Sequence, residues 1–79
     1  MAEIIDEVKE IIAERLSYDK DKINEQTSFT EDLGADSLDL AELMIAFEES
    51  FEIDIDEENV GNITTVNDVV EQIAKQLGE

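Results

Sequence analysis

The chain is organised around residues 36–51, which read DSLDLAELMIAFEESF. With an advance of about 100° per residue, this segment forms a helix that carries two separate apolar lines. The line expected to face a core consists of Leu40, Leu43, Met44, Phe47 and Phe51. The second line, roughly 140° away, consists of Leu38, Ala41 and Ile45. A helix in a small bundle cannot bury both faces, so the second line is expected at the surface.

The start of this helix carries a serine with no means of activation. Asp36 is the predicted N-cap, and Asp39 supports the first turn. Ser37 follows the cap, so its hydroxyl is left free. The chain contains no His and no Cys, and nucleophilic catalysis by a serine needs an adjacent base. On local grounds alone, a covalently modified Ser37 and a purely structural Ser37 both stay open.

Three further segments complete the predicted fold. Apolar spacing predicts a first helix from about Glu3 to Leu16, with its inner face formed by Ile4, Ile5, Val8, Ile11, Ile12 and Leu16. Residues 17–36 show no sustained periodicity of apolar residues, so they predict a long loop. Its apolar residues are expected to pack the loop against the helices; they are Ile23, Phe29 and Leu33. Residues 56–62 predict a helix of one or two turns, weakened by Gly61.

The last helix is expected to open at Thr65, with Asp68 as a variant of the capping-box partner. Its predicted buried residues are Val66, Val69, Val70, Ile73 and Leu77. The sequence therefore predicts an all-α, four-helix bundle in a single domain, residues 1–79, with three main helices, one short helix and a long first loop.

Charge restricts the function further. Five Lys and Arg against 23 Asp and Glu give 5 − 23 = −18. This field repels nucleic acids and anionic lipid surfaces and favours partners with basic patches. No apolar stretch approaches the length needed for membrane insertion, and the absence of Cys and of an apolar leader predicts a cytoplasmic protein.

Asp54, Asp56 and Glu58 alternate, but Asn59 and Thr65 stand where a calcium loop needs Gly and Glu, so no metal site is predicted.

The second apolar line has acidic neighbours, Glu42, Glu48 and Glu49. An apolar line rimmed by carboxylates indicates a docking surface for a partner with a basic rim. The alternative is that single exposed apolar residues are common and need no explanation.

Residues 31–39, EDLGADSLD, resemble the signature of acyl carrier proteins. The resemblance continues through Glu42 and Leu43, residues 47–51 and residues 63–66, and covers essentially the whole chain. The most similar type is the discrete carrier of type II fatty acid synthesis. Ala41 departs from the larger β-branched residue usual in the family, and Ser17 stands where Gly is common.

The resemblance implies that Ser37 carries 4′-phosphopantetheine, transferred from coenzyme A by a holo-synthase phosphopantetheinyl transferase. The protein would then not be an enzyme. It would be a monomeric carrier that delivers growing acyl chains, held as thioesters, to fatty acid synthase enzymes and acyltransferases. The expected partner-binding residues are Asp36, Leu38, Ala41, Glu42, Ile45, Glu48 and Glu49. The expected acyl-cavity residues are Phe29, Leu40, Phe47, Ile55 and Ile63. Two alternatives stay open: a carrier of polyketide, peptidyl or D-alanyl groups, and an acidic interaction protein that carries nothing.

Overall fold

Helices make up the regular structure of the residues that the structure describes, as predicted. The structure is a computed structural model that describes residues 2–55 and 61–78. Its elements are α1 (Ala2–Leu16), a short 3₁₀ helix (Lys20–Lys22), α2 (Ser37–Phe51) and α3 (Val66–Gln76). The short helix predicted for residues 56–62 lies outside the described residues, except for a turn at residues 61–62. Within the described ranges, no helix is long and apolar enough to cross a membrane.

The inner face of α1 follows the predicted spacing. Ile4, Val8 and Ile12 stand four residues apart and are buried, because positions i and i+4 share one face of a helix. Ile5, Ile11 and Leu16 are partly buried beside them. The helix ends at Leu16, and the next residue, Ser17, has a φ of 52° in the left-handed region. The Tyr18 N–H then donates to the Ala13 carbonyl at 3.0 Å and closes the last turn.

The core face of α2 is also as predicted. Leu43, Met44 and Phe47 are buried, and the residues at the two ends of the line, Leu40 and Phe51, are partly buried. Ala46 belongs to neither predicted line but is buried as well. The buried face of α2 is therefore slightly wider than the predicted core line, because it also includes Ala46.

The long loop contains a 3₁₀ helix that the sequence pattern did not reveal. Asp19 caps it by accepting a hydrogen bond from the Asp21 N–H at 3.0 Å. The Lys20 ammonium lies 3.5 Å from the Asp6 carboxylate and 3.4 Å from that of Glu10, both on α1. Exposed pairs of this kind contribute little to stability, so their main effect is to orient the turn against α1.

The second half of the loop is fixed to the start of α3. The Phe29 N–H donates to the Thr64 carbonyl, and the Val66 N–H donates to the Thr27 carbonyl, both at 3.0 Å. These bonds form an isolated antiparallel bridge between Ser28 and Thr65. The Phe29 side chain is fully buried. The prediction that the loop packs down is correct, and backbone hydrogen bonds add to the apolar anchors.

The helix α3 begins as predicted and ends differently. Thr65 is the N-cap, and its hydroxyl and the Asp68 carboxylate form a reciprocal capping box. The buried residues are Val66, Val69, Val70, Ile73 and Ala74. The prediction for Leu77 was wrong, since 42% of this residue is exposed. Leu77 lies beyond the helix as its C-cap, so the helical period that buries Val66 to Ala74 does not extend to it.

The left-handed backbone at Ser17 generates a stability prediction. A residue with a Cβ loses roughly 1–2 kcal/mol in this region, and Gly does not. Ser17→Gly is therefore expected to raise the free energy of unfolding, by about 0.5–1 kcal/mol after the entropy of the unfolded glycine is subtracted. Urea unfolding followed by circular dichroism measures the change. Ser17→Ala is the control, because it keeps the Cβ; an equal gain from Ala would contradict the backbone explanation.

Candidate functional site

Ser37 is the first residue of α2 and is held there by a complete capping box. The Asp39 N–H donates to Asp36 Oδ1 at 2.9 Å, and the Asp36 N–H donates to Asp39 Oδ2 at 3.2 Å. The Leu40 N–H bonds to the Asp36 carbonyl at 2.9 Å and begins the helical ladder. The predicted capping role of Asp36 is confirmed, and the reciprocal bond from Asp39 fixes the direction in which the helix starts.

The Ser37 hydroxyl is exposed and accessible to a modifying enzyme. Its side chain makes no hydrogen bond to any other described residue. Asp36, the nearest carboxylate in sequence, accepts a bond from the Asp39 N–H instead. A group attached to Ser37 would extend from the positive end of a 15-residue helix, where a phosphodiester is electrostatically favoured.

The backbone before Ser37 is anchored in the core. Gly34 adopts a φ of 66° with open space around its Cβ position, so backbone conformation rather than crowding favours Gly there. Ala35 is buried, and its N–H donates to the Phe29 carbonyl at 2.8 Å. Since Phe29 is itself bonded to Thr64, the position of Ser37 is set by contacts with the loop and with the start of α3.

The second apolar line of α2 lies at the surface, as predicted. The exposed fraction is 67% for Leu38 and 53% for Ile45, and Ala41 is exposed between them. Glu42 and Glu49 are exposed beside this line. The line therefore forms an apolar surface with an acidic rim, beginning next to Ser37.

Glu48 differs from the other acidic residues on this helix. It is only partly exposed, and its Oε2 accepts a hydrogen bond from the Ile55 N–H at 2.9 Å. No sequence pattern indicated this contact, because the two residues lie seven positions apart and only one of them is in a helix. Glu48 thus holds the segment that follows α2, while Glu49 makes no such bond.

The five residues expected at an acyl cavity share one hydrophobic cluster. Phe29 and Phe47 are fully inaccessible, and Ile55 and Ile63 are each 8% exposed. Leu40 is partly buried and packs against the same cluster. These side chains come from the loop, from α2 and from the segments on either side of residues 56–60, and they meet behind the helix that starts at Ser37.

Within residues 2–55 and 61–78, no group of three or more His, Cys, Asp or Glu side chains is arranged to hold a metal ion. Asp56 and Glu58, which were weighed as calcium ligands, lie outside these ranges.

Comparison with known proteins identifies the class of this site. Residues 6–73 match the family model described as a phosphopantetheine attachment site. The acyl carrier protein of Phenylobacterium zucineum (strain HLK1) is 45% identical over 78 residues, which is 99% of each chain. Among solved structures, the acyl carrier protein of Thermotoga maritima superposes with a TM-score of 0.85 at 31% identity, over 98% of this chain and 89% of the other. That of Enterococcus faecalis gives 0.80 at 28% identity, over 95% of both chains.

The chain belongs to the acyl carrier protein family. The resemblance noted from residues 31–39 is thereby confirmed, and with it the all-α fold. A member of this family is a carrier and not an enzyme. It bears a covalently attached 4′-phosphopantetheine, receives it from a phosphopantetheinyl transferase and serves the enzymes of fatty acid synthesis.

The Asp68 carboxylate stabilises the junction between the loop and α3. Its Oδ2 accepts hydrogen bonds from the Thr65 N–H at 3.0 Å and the Thr64 N–H at 2.9 Å. These two bonds, the Thr65 bond first, hold the pKa of Asp68 below its ordinary value, because each favours the ionised carboxylate.

Asp68→Asn is accordingly expected to destabilise the protein at neutral pH, by roughly 1 kcal/mol. A depressed pKa stabilises the fold above the unfolded-state pKa, and this contribution is lost as the pH falls through the lower folded-state pKa. The difference between the native chain and the variant should therefore shrink on acidification below pH ~4. Urea unfolding at a series of pH values measures it, with Glu71→Gln, an exposed acid on the same helix, as control. A difference that stays constant with pH would contradict this role.

Proposed function

We propose that Ser37 is the residue to which 4′-phosphopantetheine is attached, and that the arm carries growing fatty acyl chains as thioesters. The observation that carries this proposal is an exposed hydroxyl, without hydrogen bonds to described residues, at a helix start whose backbone is fixed on both sides. The family match spans this position. The chain has no Cys, so the arm must supply the thiol that forms the thioester.

Attachment joins the pantetheine phosphate of coenzyme A to Ser37 Oγ: the new oxygen–phosphorus bond forms as the pyrophosphate bond of coenzyme A breaks, and adenosine 3′,5′-bisphosphate leaves. The Ser37 hydroxyl loses its proton in this step. No base among residues 2–55 and 61–78 contacts the hydroxyl, so the transferase provides the base. Once attached, the tether raises the effective concentration of the acyl group at a docked enzyme.

We also propose that the exposed line of α2 is the surface by which partners bind. Leu38, Ala41 and Ile45 supply apolar contact, while Asp36, Glu42, Glu48 and Glu49 supply negative charge around them. A net charge of −18 accelerates encounter with a basic patch and keeps the complex exchangeable at physiological salt. Ala41 offers less apolar area than a branched residue, so the line depends chiefly on Leu38 and Ile45.

The acyl chain is proposed to lodge among the five clustered residues behind α2: Phe29, Leu40, Phe47, Ile55 and Ile63. Burial of the chain is favourable by about 0.8 kcal/mol per methylene, which is enough to shelter a thioester-bound chain from water. We further propose that residues 1–79 act as a single carrier domain, as a monomer in the cytoplasm and without affinity for nucleic acid.

The attachment proposal predicts a single modification. Incubation with coenzyme A and a promiscuous phosphopantetheinyl transferase should add the mass of one phosphopantetheinyl group to the native chain. Ser37→Ala should gain nothing. Ser50→Ala, which alters an exposed serine at the other end of the same helix, should gain the full mass. Intact-mass spectrometry decides, and a mass gain on the Ser37→Ala chain would rule out Ser37 as the attachment point.

The docking proposal predicts that Ile45→Ala raises the KM of the transferase for this protein roughly tenfold and leaves kcat unchanged. Ile45 lies two turns from Ser37, so its truncation removes binding and not chemistry. The steady-state rate of mass gain, measured over a range of concentrations of this protein, gives both KM and kcat. Leu77→Ala is the matched control, since Leu77 is also an exposed large apolar residue but lies on another element. Equal effects of the two variants would show that general surface hydrophobicity, and not this line, governs binding.

A further inference from the structure

The end of α2 is joined to the following segment through Glu48. The Glu48 carbonyl accepts hydrogen bonds from the Glu52 N–H and, at 3.1 Å, from the Ile53 N–H. The Glu48 carboxylate accepts the third bond, from the Ile55 N–H. Glu52 turns the chain back toward the helix through a left-handed conformation, with φ 55° and ψ 50°. One residue therefore receives three of the four N–H groups that follow Phe51.

The bond to Ile55 has an effect on the core. It is partly buried and charge-assisted, and such bonds are stronger than those between neutral groups. The Ile55 side chain is 8% exposed and packs in the cluster that contains Phe47 and Ile63. Fixing the Ile55 amide fixes the point at which its side chain enters that cluster.

The neighbouring Glu49 provides the contrast. It is exposed, and its carboxylate makes no hydrogen bond or ion pair with a described residue. The two carboxylates have the same charge and adjoin the same apolar line, but they differ in exposure and in the bond to Ile55. Of the two, only Glu48 connects that outer line with the inner cluster.

We propose that Glu48 is a positioning residue for the sheltered acyl chain, a role that rests on the proposed function. Its carboxylate holds Ile55 against the cluster that receives the chain.

The first experiment tests the bond and needs no attached arm. Amide hydrogen exchange by NMR is compared for the native chain, Glu48→Ala, Glu48→Gln and Glu49→Ala. The Ile55 amide should exchange about tenfold faster in Glu48→Ala, because a bond to a charged group is lost. Glu48→Gln keeps an oxygen acceptor without the charge and should give an intermediate rate. Glu49→Ala should match the native chain.

An Ile55 exchange rate that is the same in Glu48→Ala, Glu49→Ala and the native chain would overturn the proposal. Circular dichroism checks that each variant is folded. If Glu48→Ala does not fold, Glu48→Gln, which preserves side-chain size, replaces it, with Glu49→Gln as the matched control. Equal exchange rates of the Ile55 amide in these two variants would also overturn the proposal.

The second experiment tests the consequence for the acyl chain. Each protein is loaded with an octanoyl-phosphopantetheine arm and treated with hydroxylamine, which attacks the thioester carbonyl, forms the hydroxamate and releases the thiol. Glu48→Ala should lose its octanoyl group several-fold faster than Glu49→Ala, with Glu48→Gln between them. Equal rates would show that Glu48 holds Ile55 without sheltering the chain, and the positioning role would be wrong. If the native chain accepts no arm, the proposed function fails by itself, and the exchange data still decide whether Glu48 holds Ile55.

Discussion

The arrangement of this protein depends on the two hydrogen bonds made by the backbone of Phe29. Its N–H binds the Thr64 carbonyl at the start of α3, and its carbonyl binds the Ala35 N–H just before α2. Together they join the long loop to both helices around a side chain that is fully buried. Without these two hydrogen bonds, the segment before Ser37 would be a long loop without regular structure, which is uncommon in compact domains. With the two bonds, the backbone before the exposed serine is held in place.

The faces and ends of α2 present different groups. Its N-terminus presents Ser37, its outer face presents Leu38 and Ile45, and its inner face supplies Phe47 to the core. Its C-terminal turn, through Glu48, holds the segment that returns to that core. In the proposed function, this one helix bears the attachment point and the docking line, and its inner face and C-terminal turn border the cluster proposed to receive the acyl chain.

Local patterns in the sequence were sufficient for the elements that depend on local physics. The periodicity of residues 36–51 gave both lines of α2, and the Asp36 and Thr65 caps gave two helix starts. Leu77 was predicted inside because the helical period was extended one residue beyond the point where α3 ends. The family resemblance, and not periodicity, singled out Ser37 from other serines at helix starts.

Contacts between distant residues were not predictable in this way. The bridge between Ser28 and Thr65 joins segments far apart in the chain, and neither shows the alternation of a strand. The bond from Ile55 to Glu48 likewise has no periodic signature, so Glu48 was grouped with Glu49 on charge and on position beside the second apolar line. Composition and spacing show which residues are apolar or charged. The Ser28–Thr65 bridge and the Ile55–Glu48 bond depend instead on the backbone path between the two residues, which periodicity does not reveal.

Ser37 is held by an anchored backbone and not by a mobile loop. Native-state hydrogen exchange of the Phe29 and Ala35 amides measures this anchoring, since both amides donate to backbone carbonyls of the anchored region. We expect protection close to that of the Leu43 and Phe47 amides in the core of α2. Exchange as fast as that of the exposed Glu25 amide would contradict it.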